Sequence, residues 1–165
     1  MPADLTAKDR DLMIRTIIGE AGNQGPQGQA AVAHVILNRM AAGAYGKTPA
    51  DVVLAPNQFE PWSTRRSELL AIKPTSPAYQ QASDIVDMVN SGEVPDPTGG
   101  ATHFLQENIV RQRRGGTLPD WAQQPIAKIQ DHTFYAPQGR VAGVDKLAAG
   151  VDPLDAINRA INGRP

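Results

Sequence analysis

Apolar residues recur at helical spacing through the first forty positions of this 165-residue chain. Leu12, Met13, Ile14, Ile17 and Ile18 predict a helix that starts at a Thr6 cap and runs to about Glu20, its end bracketed by Gly19 and Gly22. Val32, Val35, Ile36 and Arg39 predict a second helix from Gly25 or Pro26 to Met40. In it, Ala30, Ala31 and Ala33 let a neighbour approach closely. "KTPADVVL" reads as a short helix with Thr48 as cap, Pro49 in first position and Asp51 in the first turn. "TSPAYQQASDIVDMVNSG" repeats that signature at Ser76 and Pro77 and predicts burial of Ala82, Ile85, Val86 and Val89. Between these helices, "APNQFEPW" reads as loop or short strand.

"DPTGG" is a turn signal, and "ATHFL" and "KIQDHTFYA" are short β-prone runs able to pair. "VDPLDAINRAING" predicts a last helix, with Asp152 as cap, Pro153 next and Gly163 at its end. The pattern contains no repeat and no linker. It predicts one α+β domain over residues 1–165, mainly helical, with a small antiparallel sheet.

Composition narrows the function more than the fold. The formal net charge is −1, and Lys and Arg are scattered except in "RQRR" at Arg111 to Arg114, which reads as a solvated turn; nucleic acid is not an expected partner. Cysteine is absent, so neither disulfides nor thiolate-bound zinc holds the fold. The first residues, "MPADLTAKDRD", lack a basic-then-apolar export signal, and the longest apolar run, "AAVAHVIL", is too short to span a bilayer. The expectation is a protein that does not insert into membranes.

Residues 16 to 38, "TIIGEAGNQGPQGQAAVAHVILN", hold one carboxylate, Glu20, in a chain whose residues are one-fifth charged. An acid that follows an apolar run and precedes glycines and amides tends to hold its proton, as a general acid for glycoside cleavage must. A two-carboxylate glycosidase needs its second acid about 5–10 Å away. Asp51, Glu60, Glu68 and Asp96 are candidates that are distant in sequence. His34, His103 and His132 form no close ligand pair, so no metal site is expected. His34 reads as a core residue with one hydrogen bond, and His132 as buried or cleft-lining.

"RTIIGEAGNQGPQGQAAVAHVILNRM" resembles the opening motif of the SleB/CwlJ-type (spore-cortex-lytic) cell wall hydrolases. "PNQFEPW", "DPTGGATHFL" and "KIQDHTFYAP" match later motifs of that family in order, so the resemblance spans Arg15 to Pro137. It implies a lysozyme-like domain that cleaves peptidoglycan glycan strands between N-acetylmuramic acid and N-acetylglucosamine, as a lytic transglycosylase or muramidase without cofactor. The family's catalytic acid falls on Glu20. Gln58, Phe59 and Trp62, and His103, Phe104 and His132, fall where substrate contacts are expected; His103 either bonds substrate, steadies Glu20 or is structural. Many relatives carry acids in the spacer where this chain has Gln24 and Gln27. Their absence favours a single-acid mechanism.

Such an enzyme acts at periplasmic or extracellular peptidoglycan. Delivery is expected from a phage holin, a virion or a trimmed signal, with any protein partner for it unknown. Two rivals stand beside this reading: a metal-dependent amidase, distinguished by chelator sensitivity, and a non-catalytic glycan-binding or structural module.

Overall fold

Thr6 opens α1 (Ala7–Ala21) by a reciprocal cap: its hydroxyl accepts from the Asp9 N–H at 3.1 Å, and Asp9 Oδ2 accepts from the Thr6 N–H at 3.2 Å. The same box, Thr48 with Asp51, opens α3 (Pro49–Leu54). Asp9 Oδ1 also accepts from the Ala50 N–H at 3.1 Å, so the two helix starts are tied together. The computed structural model describes residues 2–136 and 158–159.

The apolar stripe of α1 packs against α2 (Gly25–Ala42), α3 and α6 (Pro77–Ser91). Met13, Ile14 and Ile17 meet Val32, Ala33 and Ile36 of α2, Val52 of α3, and Ile85 and Val86 of α6, all buried. Each large aliphatic side chain removed from water there contributes about 1.5–3 kcal/mol, which makes this cluster the main stabilising term. Arg15, also on α1, is buried and donates to the carbonyls of Leu69 and Ile72 at 2.6 and 3.0 Å, anchoring α5 (Arg66–Ala71).

"APNQFEPW" is neither plain loop nor strand. Asn57 turns the chain at φ 61°, and α4 (Glu60–Thr64) begins inside the motif, with Phe59 at the cap position and Pro61 in the first turn. Proline suits that position because its missing N–H would be unpartnered anyway. The "RQRR" segment is exposed as expected, but its first three residues close a helix, α7 (Glu107–Arg113), and only Arg114 enters the turn that follows.

The sheet has the order β1-β3-β2, both pairings antiparallel, from β1 (His103–Leu105), β2 (Pro125–Ile129) and β3 (His132–Tyr135). "ATHFL" and "KIQDHTFYA" do pair, but the second run holds the end of one strand, a two-residue turn at Gln130 and Asp131, and all of the next. Phe104 lies opposite Phe134, and Ala31 and Val35 of α2 pack with Ala101, Ile129 and Phe134 to fix the sheet to the helices.

Gln24 holds that hairpin. Its Oε1 accepts from the Asp131 N–H at 2.9 Å and its Nε2 donates to Asp131 Oδ2 at 3.1 Å. "DPTGG" turns as expected, around Asp96, whose carboxylate accepts from the N–H groups of Thr98 and Gly100. Of the predicted last helix only Asn158 and Arg159 are described, and both are helical; Asp152, Pro153 and Gly163 lie outside the described residues. No helix among the described residues is long and apolar enough to cross a membrane.

Gly19 is where α1 meets α4 and α5. A Cβ there would stand 2.9 Å from Pro61 Cβ and 3.0 Å from Leu69 Cδ2. Gly19→Ala should therefore destabilise the protein by about 1–2 kcal/mol in denaturant unfolding, because overpacking outweighs the helical preference for alanine. An unchanged or raised midpoint would show that α4 and α5 yield freely.

Candidate active site

Glu20 sits in the last turn of α1, one residue past the contact that brings α4 against the helix. The carbonyl end of a helix disfavours a negative charge, and here burial adds to it. The Glu20 carboxyl is pushed up to about 7, chiefly by burial and next by the charge of Glu60; Arg39 and Arg65 oppose the shift. At neutral pH a large fraction of Glu20 therefore keeps its proton.

A cleft of about 300 Å³ opens onto this acid. Glu20 and Arg39 line it from α1 and α2, Asn57, Gln58 and Glu60 from the segment entering α4, and Phe104, Leu105 and Gln106 from β1 and the residue after it. Ile109, Val110 and Arg113 of α7 complete the wall.

Arg39 was legible in the sequence only as a helical position. It is 4% exposed, and its Nε donates to the Thr102 carbonyl at 2.6 Å while Nη1 donates to Gln58 Oε1 at 3.3 Å. Its guanidinium carbon lies 5.0 Å from the Tyr45 ring centroid and 4.7 Å from that of Phe59. Among the described residues Arg39 has no carboxylate salt bridge. The aromatic faces stabilise this buried cation, and so does Glu20 once ionised. Because Arg39 holds the carbonyl end of the Gln58 amide, the NH₂ end is left to donate; its one contact is a long 3.5 Å bond to the Pro56 carbonyl.

The six expected substrate contacts separate. Gln58 and Phe104 line the cleft with Glu20. Phe59 is 1% exposed, does not line the cleft, and packs its ring against Arg39. Trp62 belongs to the core: its Nε1 donates to Thr16 Oγ1 at 2.8 Å, and the ring does not reach the cleft. His103 is off the cleft too. It bonds the Tyr45 hydroxyl at 3.0 Å and Thr102 Oγ1 at 2.9 Å, and its ring packs 5.0 Å from that of Trp121. It steadies Tyr45, which in turn covers Arg39. His132 is buried behind Phe104, with ring centroids 5.0 Å apart, and faces the Gln106 amide at 3.4 Å. Strand alternation explains part of this: His103 and Phe104 are neighbours and must point to opposite faces.

The acids separate as well. Asp51 caps α3, Asp96 holds its turn, and Glu68 lies beside Arg65 on the exposed face of α5. Glu60 alone of the four lines the cleft. Gln24 and Gln27 do not face Glu20. Gln24 latches the hairpin, and Gln27 donates to Asn158 at 3.0 Å and accepts from Gln130 at 3.5 Å. Their neutrality therefore says little about a second carboxylate. Tertiary packing instead places Glu60 on the same cleft, where its charge acts on Glu20. His34 is the expected core histidine, bonded to the Val94 carbonyl at 3.1 Å. Among the described residues no group of three or more His, Asp or Glu is arranged to hold a metal ion.

A family model described as Cell Wall Hydrolase matches residues 23–135. The spore cortex-lytic enzyme of Bacillus cereus is 26% identical over 134 residues, which cover 81% of this chain and 46% of that protein. The enzyme of the same name from Halalkalibacterium halodurans is 28% identical over 134 residues, covering 81% and 36%. The chain thus spans less than half the length of these curated relatives.

Among solved structures, the catalytic domain of the Bacillus anthracis germination-specific lytic transglycosylase SleB superposes with a TM-score of 0.65 at 25% identity, covering 82% of this chain and 99% of that domain. The catalytic domain of Bacillus cereus SleB gives 0.65 at 26% identity, covering 82% and 94%. The lysozyme-like α+β architecture agrees with these neighbours.

The raised acid has a thermodynamic consequence. A folded-state pKa above the unfolded value gives stability that is complete below the unfolded pKa and lost as pH rises toward about 7. Glu20→Gln should then be more stable than the native chain by about 1–3 kcal/mol at pH 8, with the gap closing by pH 4. Urea unfolding at both pH values measures it. A gap independent of pH would mean that Glu20 is not a perturbed acid.

Proposed function

The chain belongs to the Cell Wall Hydrolase family, and from that premise we propose that it cleaves peptidoglycan glycan strands after N-acetylmuramic acid, with Glu20 as the one essential acid. The observation that carries this reading is Glu20 itself: a carboxyl held near pH 7, opening into a cleft between helices and sheet. A general acid works best with its pKa near the working pH.

In this mechanism Glu20 gives its proton to the glycosidic oxygen as the bond from C1 of the muramic acid breaks. Arg39 and Arg65 stabilise the carboxylate left behind. That carboxylate then takes the proton of the sugar's own 6-hydroxyl, whose oxygen closes on C1. The product is a 1,6-anhydro end, no water is consumed, and Glu20 is again protonated. Holding the nucleophile on the substrate itself supplies the proximity that an unheld water lacks. The likeness to a domain described as a lytic transglycosylase supports this route. The Gln58 NH₂ suits the carbonyl of an N-acetyl group, and Phe104 offers a face for a sugar ring. The site of action is then the cell wall, in the periplasm or outside the cell.

A second reading rests on Glu60. It is exposed, lines the same cleft, and its charge acts directly on Glu20. In a hydrolase it would activate water.

Glu20→Gln should lower clearance of purified sacculi at least ~100-fold with the fold intact by circular dichroism. The native digest should end in 1,6-anhydro-N-acetylmuramic acid by mass spectrometry, and Glu60→Gln should leave that product in place. Reducing ends that vanish in Glu60→Gln would establish hydrolysis instead.

A further inference from the structure

A second and larger cavity, about 490 Å³, adjoins the Glu20 cleft and has no part in the chemistry above. Gln106 and Ile109 line both, so the two form neighbouring compartments separated by one turn of chain. Ile109 is 41% exposed, an apolar side chain placed on the divide between them. Asn108, Thr133 and strand β2 from Pro125 to Lys128 form the rest of the second cavity, together with Glu107 and Asp131.

Its charges are of both signs and incompletely matched. Lys128 is exposed and enters no salt bridge or side-chain hydrogen bond among the described residues. Asp131 uses Oδ2 to accept from Gln24, which leaves Oδ1 available. Glu107 is partly engaged, by the Tyr135 hydroxyl at 2.6 Å and Arg111 at 4.0 Å. A neutral sugar needs none of these charges. A short ligand with a carboxylate for Lys128 and an ammonium for Asp131 would satisfy them together. The volume falls in the range of pockets that hold ligands of a few residues.

We propose that this cavity binds the peptide stem of peptidoglycan, a short zwitterionic peptide attached to the muramic acid next to the bond being cleaved. The inference rests on the glycan-cleaving reading, which brings such a stem to the edge of the Glu20 cleft. Carboxylates of the stem meet Lys128, its free amine meets Asp131, and its aliphatic portion lies against Ile109 and Ile126. The enzyme would then favour glycan strands that still carry peptides over bare ones.

Two measurements test this. In the first, glycan strands with stems, and the same strands stripped by an amidase, are digested by the native chain and by Lys128→Glu. The native chain should prefer the stem-bearing strands in kcat/KM, and Lys128→Glu should reduce that preference about fivefold or more, the effect of reversing one exposed charge. Equal native rates on both substrates, or a preference unmoved by the substitution, would overturn the proposal while leaving the glycan reading intact.

In the second, the Glu20→Gln chain is titrated with a free stem tripeptide that bears a side-chain amine, and amide NMR shifts are followed. Shifts at Lys128, Thr133 and Ile109 support the site whether or not any glycan is cleaved, so failure of the glycan reading would be seen separately. No shifts at millimolar peptide would overturn it.

Discussion

One buried guanidinium joins the parts of the structure that matter for chemistry. Arg39 comes from α2, grips the carbonyl of Thr102 just before β1, and fixes the amide of Gln58 in the segment entering α4. Of its aromatic neighbours, Tyr45 comes from the loop after α2 and Phe59 stands next to Gln58 in the segment entering α4. Burying a cation without a salt-bridging carboxylate is costly, and it is tolerated only where hydrogen bonds and ring faces surround it. The same charge then opposes, without cancelling, the burial that keeps Glu20 protonated. A site that must both give and take a proton is served by that balance. In the proposed mechanism, burial favours the acid before bond cleavage and the nearby cations favour the carboxylate after it.

The close contact at Gly19 supplies the other half. It lets Pro61 and Leu69 sit against the end of α1, and the Arg65 side chain donates to the Gly19 carbonyl at 2.7 Å. Glycine before the acid is therefore explained by packing rather than by backbone freedom. The hairpin is held from the far side by Gln24, so the sheet that carries Phe104 is tied to the start of α2 as well as to its middle.

Much of this was legible in the sequence. Caps at Thr6, Thr48 and Ser76 are local signals, and the helices start where they predict. Glu20 stood out because its neighbours carry no charge. What could not be read locally is what packing decides. Phe59 and Trp62 look like sugar platforms in a motif, yet one lies under Arg39 and the other bonds Thr16 in the core. His103 and Phe104 are adjacent, and only the sheet's orientation assigns one to the cleft. Glu60 is forty residues from Glu20 and reaches it through the α1–α4 contact, while the spacer amides closest in sequence turn away.

The account depends most on Glu20 keeping its proton near neutrality. Its side-chain carboxyl can be followed directly, by carbon-13 NMR of the chain labelled at glutamate and assigned with Glu20→Gln. The prediction is one carboxyl resonance titrating at about 7, absent from the variant. A Glu20 resonance titrating near the ordinary glutamate value of about 4.3 would contradict it and remove the basis for the acid role.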